Sequence, residues 1–123
     1  MPEKDEFLFW EDVFDPLPQG ADMAEIALRA IRLECDEIYV LPSIEQVIIR
    51  FYQRQEWMKS FMMHRTRLPE MLNYLKLFAN LRRSLRQRAQ EGLLKVKHED
   101  NEISFFVRVV NTSVGERVYL RLL

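Results

Sequence analysis

Three arginines sit in runs of apolar residues: Arg50 in Val47–Tyr52, Arg108 in Ile103–Val110 and Arg121 in Arg117–Leu122. Arginines gathered on one face of a sheet bind phosphate through charge-assisted, often bidentate hydrogen bonds. If the last two runs pair antiparallel, Arg108 and Arg121 share a face. The bland alternative is the solvated face of a one-sided sheet, or ion pairs with Glu102 and Glu116. A second concentration, Arg82, Arg83, Arg86 and Arg88, has the charge to meet nucleic-acid phosphates. No reading-head architecture accompanies it, and a solvated helix end or an ion-pairing surface explains it as well. Basic residues also suit the negative end of a helix dipole.

Other chemistries find few residues. Cys35 is the single cysteine, which excludes an internal disulfide and a cysteine-based zinc cluster. It reads as an inert buried thiol near a helix end. His64 and His98 are the only histidines, and neither has a catalytic pattern beside it. Gly20, Gly92 and Gly115 lie too far apart to cradle phosphate in a glycine-rich loop. Acids are abundant but form no recognisable acid/base pair. Met58, Met62 and Met63 read as adaptable core filler.

The 123 residues are 48% hydrophobic and carry a formal net charge of −1, which suits one folded domain and not an overall basic nucleic-acid binder. The charge is segregated. Twelve Lys and Arg residues between Arg50 and Lys97 face only Glu56, Glu70 and Glu91, whereas residues 1–22 hold seven acids and one lysine. Such asymmetry favours an electrostatic partner, or an acidic arm folded over the basic middle of its own molecule. The acidic start is the wrong sign for a secretory signal, and no apolar run approaches a membrane span. The expectation is a cytoplasmic chain without direct membrane insertion.

The elements that position these residues follow from periodicity. Residues 1–21 form an acidic aromatic arm or linker, in which Phe9 and Trp10 are candidate partner contacts beside Phe7 and Phe14. Residues 22–123 form one domain. Asp22 and Glu25 have capping-box spacing, and Met23, Ile26, Ala27, Ala30 and Ile31 make one apolar stripe, predicting a helix over 23–33. Short strands are predicted at 38–41, stopped by Pro42, at 47–52 and at 57–62. Pro69 suits the first turn of a second helix. That helix either runs on through Arg82–Arg88 or breaks there, with Gly92 marking the exit. Strands follow at 94–97, 103–110 and 117–122, with a loop over 111–115. The class is α+β, a mostly antiparallel sheet packed by two helices.

One resemblance joins these pieces. Val114–Leu123 resembles the G-E-R-V-x-L-R-L-L signature of the traffic ATPases that drive type II secretion and type IV pilus assembly. Cys35–Pro42 is similar to that family's A-S-D-I-H-I-E-P, and Ile49-Arg50-Phe51 to its V-R-Y. Leu75–Leu81 is similar to I-K-x-M-A-x-L, Gln90-Glu91-Gly92 to Q-D-G, and Phe106-Val107 falls where R-V-S-T-L-P begins. The order holds from Met23 to Leu123. There are departures: Arg54-Gln55 replaces a D-G turn, Phe106 replaces an arginine that reappears as Arg108, and Asn111 replaces a proline. Leu85–Gly92 keeps little of E-R-R-x-P-Q-D-G.

The resemblance implies a PAS-like α+β subdomain lying just ahead of a motor domain. It implies a non-catalytic accessory role, since no Walker motif is present and ATP and Mg²⁺ would belong to a full-length parent. Partners would be the motor domain and inner-membrane secretion or pilus components, with no nucleic acid, and oligomers would form only through the motor. It places the chain at the cytoplasmic side of the inner membrane. By position, Arg117 and Arg121 are nucleotide-contact candidates, and Arg108 is a displaced one. Arg82, Arg83, Arg86 and Arg88 are partner-surface candidates. The reading from a different class is a stand-alone PAS-like sensor or adaptor, with a pocket lined by Phe51, Trp57, Phe105 and Phe106.

Overall fold

Strands whose apolar residues recur every second position can bury only one face, and this chain builds its core on that rule. The computed structural model describes residues 8–14, 20–84 and 87–123. Seven strands form one sheet: β1 (Leu8–Phe9), β2 (Glu37–Pro42), β3 (Gln46–Gln53), β4 (Glu56–His64), β5 (Gln90–His98), β6 (Asn101–Thr112) and β7 (Gly115–Leu122). Their spatial order is β1-β4-β3-β2-β7-β6-β5. Every pairing is antiparallel except that of β1 with β4. The expected α+β class with a mostly antiparallel sheet is the one observed.

One face is dry. Ile38 and Val40, Val47, Ile49 and Phe51, Phe61 and Met63, Leu94 and Val96, Phe105, Val107 and Val109, and Val118 and Leu120 are all buried on it. Helices α2 (Asp22–Arg32) and α3 (Leu68–Phe78) supply Met23, Ile26, Ala27, Ala30, Met71, Leu72 and Leu75 to the same core. Burying each large apolar side chain is worth about 1.5–3 kcal/mol, so this layer is what holds the sheet. A short helix the periodicity did not predict, α1 (Trp10–Val13), caps the β4 end. Its Trp10 is fully buried, tilted against Phe14 at 4.5 Å and edge-on at 5.2 Å to Phe61.

The helix ends have local causes. Both helices close in Schellman turns. Cys35 N–H reaches Ala30 C=O (2.8 Å) and Glu34 N–H reaches Ile31 C=O, with Glu34 left-handed at φ 59°. Leu81 N–H reaches Lys76 C=O (2.7 Å) and Asn80 N–H reaches Leu77 C=O, with Asn80 at φ 60°. Asn is among the few non-glycine residues that tolerate this conformation, so the helix stops before the arginines. At the start of α2 the capping box is not formed. Ala21 is the cap residue and no side chain caps it. Asp22 instead turns inward, nearly fully buried, and accepts a 2.8 Å hydrogen bond from Arg67 Nη2. Arg67 ends a 3₁₀ turn, Arg65–Arg67, that leads into α3.

Gly92 does not mark a helix exit but lies within β5, where the sheet passes closest to the end of α3. A Cβ there would stand 2.6 Å from the Ala79 carbonyl oxygen. The expected loop over 111–115 shrinks to Ser113-Val114, because Thr112 pairs with Gly115.

Candidate functional site

The other face of the sheet is uncovered by any described helix. Residues of opposite parity to the core stand on it in two cross-strand rows. Pairing aligns Arg50, Tyr39, Tyr119, Arg108 and Glu91 across β3, β2, β7, β6 and β5. The adjacent row aligns Tyr52, Glu37, Arg121, Phe106 and Leu93 on the same strands. Trp57 extends that row on β4, beyond a bulge between Phe51 and Tyr52. Arg117 follows on β7, opposite Val110.

The rings touch one another in a chain. Tyr39 lies 5.4 Å from Tyr52 and 5.0 Å from Tyr119, and Phe106 lies 6.4 Å from Tyr119. The Tyr119 hydroxyl donates to Glu37, and Arg121 sits 4.9 Å over the Phe106 ring. Arg108 pairs with Glu91 at 2.5 Å. Arg117 and Arg50 make no ion pair among the described residues. Burial and the hydrogen bond to Glu37 push the Tyr119 phenol up to about 12. Burial and then the Glu37 charge also raise Tyr39, while Arg117 partly offsets them. These phenols therefore stay neutral donors. Tyr39, Arg108, Val110, Arg117, Val118 and Tyr119 line a shallow cleft of about 300 Å³, which continues past Arg117 toward Tyr52 and Gln55.

The structure thus brings Arg108, Arg117 and Arg121 onto one face, as the pairing of the last two strands requires. The alternative ion pairs do not form as expected. Arg108 meets Glu91, not Glu102, and Glu116 points the other way into the core. There Glu116 accepts from Lys76 Nζ at 2.8 and 2.9 Å, with the two side chains 9% and 2% exposed. This buried pair ties α3 to β7. Sequence reasoning missed it, although the burial of Val118 and Leu120 by parity also turns Glu116 inward.

The remaining candidates scatter. Trp10 belongs to the core and offers no surface, which corrects its assignment as a partner contact. Phe9 is half-buried and stacks on His64 at 4.9 Å. Glu11 accepts from the His64 backbone N–H at 3.2 Å, so the described part of the acidic arm folds onto its own domain. Arg82, Arg83 and Arg88 are exposed beyond α3, and Arg86 lies outside the described residues. Gln90 holds the Arg82 backbone at both N–H and C=O (2.9 Å each). Arg83 borders a separate cleft with Tyr74, Leu77 and Phe78.

The proposed sensor pocket is not assembled. Phe51 and Phe105 are buried in the core, while Trp57 and Phe106 stand on the opposite face. Cys35 is buried, and desolvation followed by the Asp36 charge raises its thiol, which disfavours the nucleophilic thiolate. No cluster of three or more His, Cys, Asp or Glu residues suited to a metal occurs among the described residues. Among these residues no helix is long and apolar enough to cross a membrane.

No protein-family model matches the chain, and no curated protein matches it. A solved structure does. The X-ray structure of the Legionella pneumophila ATPase DotB superposes with a TM-score of 0.55 at 11% identity, over 100% of this chain and 32% of that one. At that identity the likeness is one of fold. The chain spans about a third of the length of DotB.

Proposed function

We propose that this chain is a non-catalytic accessory domain of a secretion ATPase, of the type II secretion or type IV pilus kind. It docks on a motor domain and relays nucleotide-driven motion to the membrane assembly. The observation that carries the reading is a coincidence of two independent likenesses. The whole chain shares its fold with a part of the ATPase DotB, and the same chain carries the Val114–Leu123 segment that resembles the traffic-ATPase signature. ATP and Mg²⁺ belong to the motor in this reading, because phosphoryl transfer needs a phosphate loop and metal ligands that the sequence does not offer. Arg117, Arg121 and Arg108 are then contacts toward a partner or its nucleotide.

The test uses two measurements. Phosphate release from ATP by the pure chain should equal that of buffer, and turnover above it would end the accessory reading. The coding sequence around this chain should specify a Walker-bearing motor in frame or in a neighbouring gene. Purified with that motor, the chain should alter its ATPase rate. A motor indifferent to a stoichiometric excess of the chain would refute the relay.

A further inference from the structure

We propose that the uncovered sheet face is a docking surface for an acidic segment of a protein partner. The segment presents carboxylates to Arg117 and Arg121 and seats an apolar or aromatic side chain between them at Tyr119 and Tyr39. Tyrosine and arginine are the residue types that dominate interface energetics, and here they form contiguous rows. The face carries an excess of positive charge. Arg50, Lys95, Lys97, Arg108, Arg117 and Arg121 project from it against Glu37, Glu91 and Glu102, in a chain whose net charge is −1. Glu37 and Glu91 are already engaged by Tyr119 and Arg108, and Arg117, Arg121 and Arg50, without an ion pair among the described residues, are left to recruit carboxylates.

The spacing defines the ligand further. Arg117 and Arg121 stand four residues apart on one strand face, or roughly 13 Å at about 3.3 Å per residue. An extended partner meets them with acids at i and i+4 and reaches Tyr119 with residue i+2. The face argues against two other occupants. A second copy would lay basic rows on basic rows. A single-stranded nucleic acid needs open ring faces to stack its bases. These rings instead pack edge-on or tilted against each other, at 79° between Tyr39 and Tyr52 and 45° between Tyr39 and Tyr119. For the partner's identity the proposal rests on the accessory-domain reading. For its chemistry it does not, so the test uses no motor.

The whole chain is titrated against a fluorescently labelled random copolymer of glutamate and tyrosine, with labelled oligothymidylate in parallel. The copolymer should bind, and raising NaCl from about 50 to about 500 mM should release it. Arg117→Glu with Arg121→Glu should weaken binding by about tenfold or more with the circular dichroism and melting temperature preserved. Glu91→Gln removes the carboxylate that engages Arg108 and should tighten binding about twofold, a gain that no folding defect can imitate. Absent binding, or binding unmoved by the double substitution, overturns the proposal. Tighter binding of oligothymidylate overturns it in favour of a nucleic-acid surface. A dimer in sedimentation that Arg117→Glu dissolves overturns it in favour of self-association. ATP turnover by the chain would end the accessory reading and leave this result standing.

Discussion

Lys76→Met is the most informative single change to this fold. It removes the ammonium that meets both oxygens of Glu116 at 2.8 and 2.9 Å, inside a contact where neither side chain is more than 9% exposed. It also releases the Arg83 carbonyl, which accepts from the same nitrogen at 3.4 Å. Breaking a buried ion pair by deleting one partner costs about 3–5 kcal/mol, because the other charge is left buried. A domain of this size is stable by roughly 5–15 kcal/mol, so the loss is a large fraction of the total. At a urea slope of about 1.5–2 kcal/mol per M, the midpoint should fall by about 2 M. Fluorescence reports it through Trp10, which is fully buried in the native state. Glu116→Met should cost a similar amount. The double variant should recover much of the loss, since an apolar pair of like volume is often neutral or better. The reasoning fails if Lys76→Met costs under about 1 kcal/mol, or if the two single losses add in the double variant, because contacting partners must couple.

Gln55→Gly should stabilise the chain by about 0.5–1 kcal/mol, seen as a raised melting temperature, because Arg54 and Gln55 both sit at positive φ (50° and 70°) in the β3–β4 turn. A lowered melting temperature would mean that a side chain of the turn holds it. Gly92→Ala should cost about 1–3 kcal/mol or more in urea, since its methyl would meet the Ala79 carbonyl at 2.6 Å; unchanged stability would show that the end of α3 yields freely. Tyr119 should ionise near 12 in a 295 nm absorbance titration, and Tyr119→Phe should remove that step. Its pKa is raised in the folded state, so the folded chain holds the proton that the unfolded chain releases. Stability tied to Tyr119 is therefore complete below pH 10 and declines as pH rises from 10 toward 12. A Tyr119 step at the ordinary value near 10 would remove the role of the Glu37 contact.

Strands were legible where alternation was clean. Ile103–Val110 and Arg117–Leu122 lie within β6 and β7 because apolar parity and strand parity coincide there. The helix ends were less legible. Whether α3 ran on into Arg82–Arg88 turned on Asn80 adopting a left-handed turn, which no stretch of apolar spacing encodes. Asp22 looked like a cap because its type suits one. It serves as the buried partner of Arg67, 45 residues away, a contact made by packing and not by local preference. The same limit hid Lys76–Glu116, a pair 40 residues apart. Trp10 read as a partner contact because the aromatics of the acidic arm need a surface to dock on; a two-residue parallel strand and one helical turn deliver the ring to Phe61 of its own domain.

The segment Gly115–Leu122 now divides by parity into two sets with different physical work. Glu116, Val118 and Leu120 face α3 and the core, while Arg117, Tyr119 and Arg121 face outward. A single strand in an antiparallel sheet cannot exchange these sets without a one-residue slip, and the buried carboxylate of Glu116 makes such a slip costly. Substitutions at even positions should therefore shift the unfolding midpoint and, when the variant folds, spare copolymer binding. Substitutions of Arg117 and Arg121 should do the reverse. Neighbouring residues in one run of sequence would thus give opposite pairs of readings. If Arg117→Glu unfolded the chain, or Glu116→Met weakened binding in a fully folded sample, the separation of scaffold and surface along β7 would not hold.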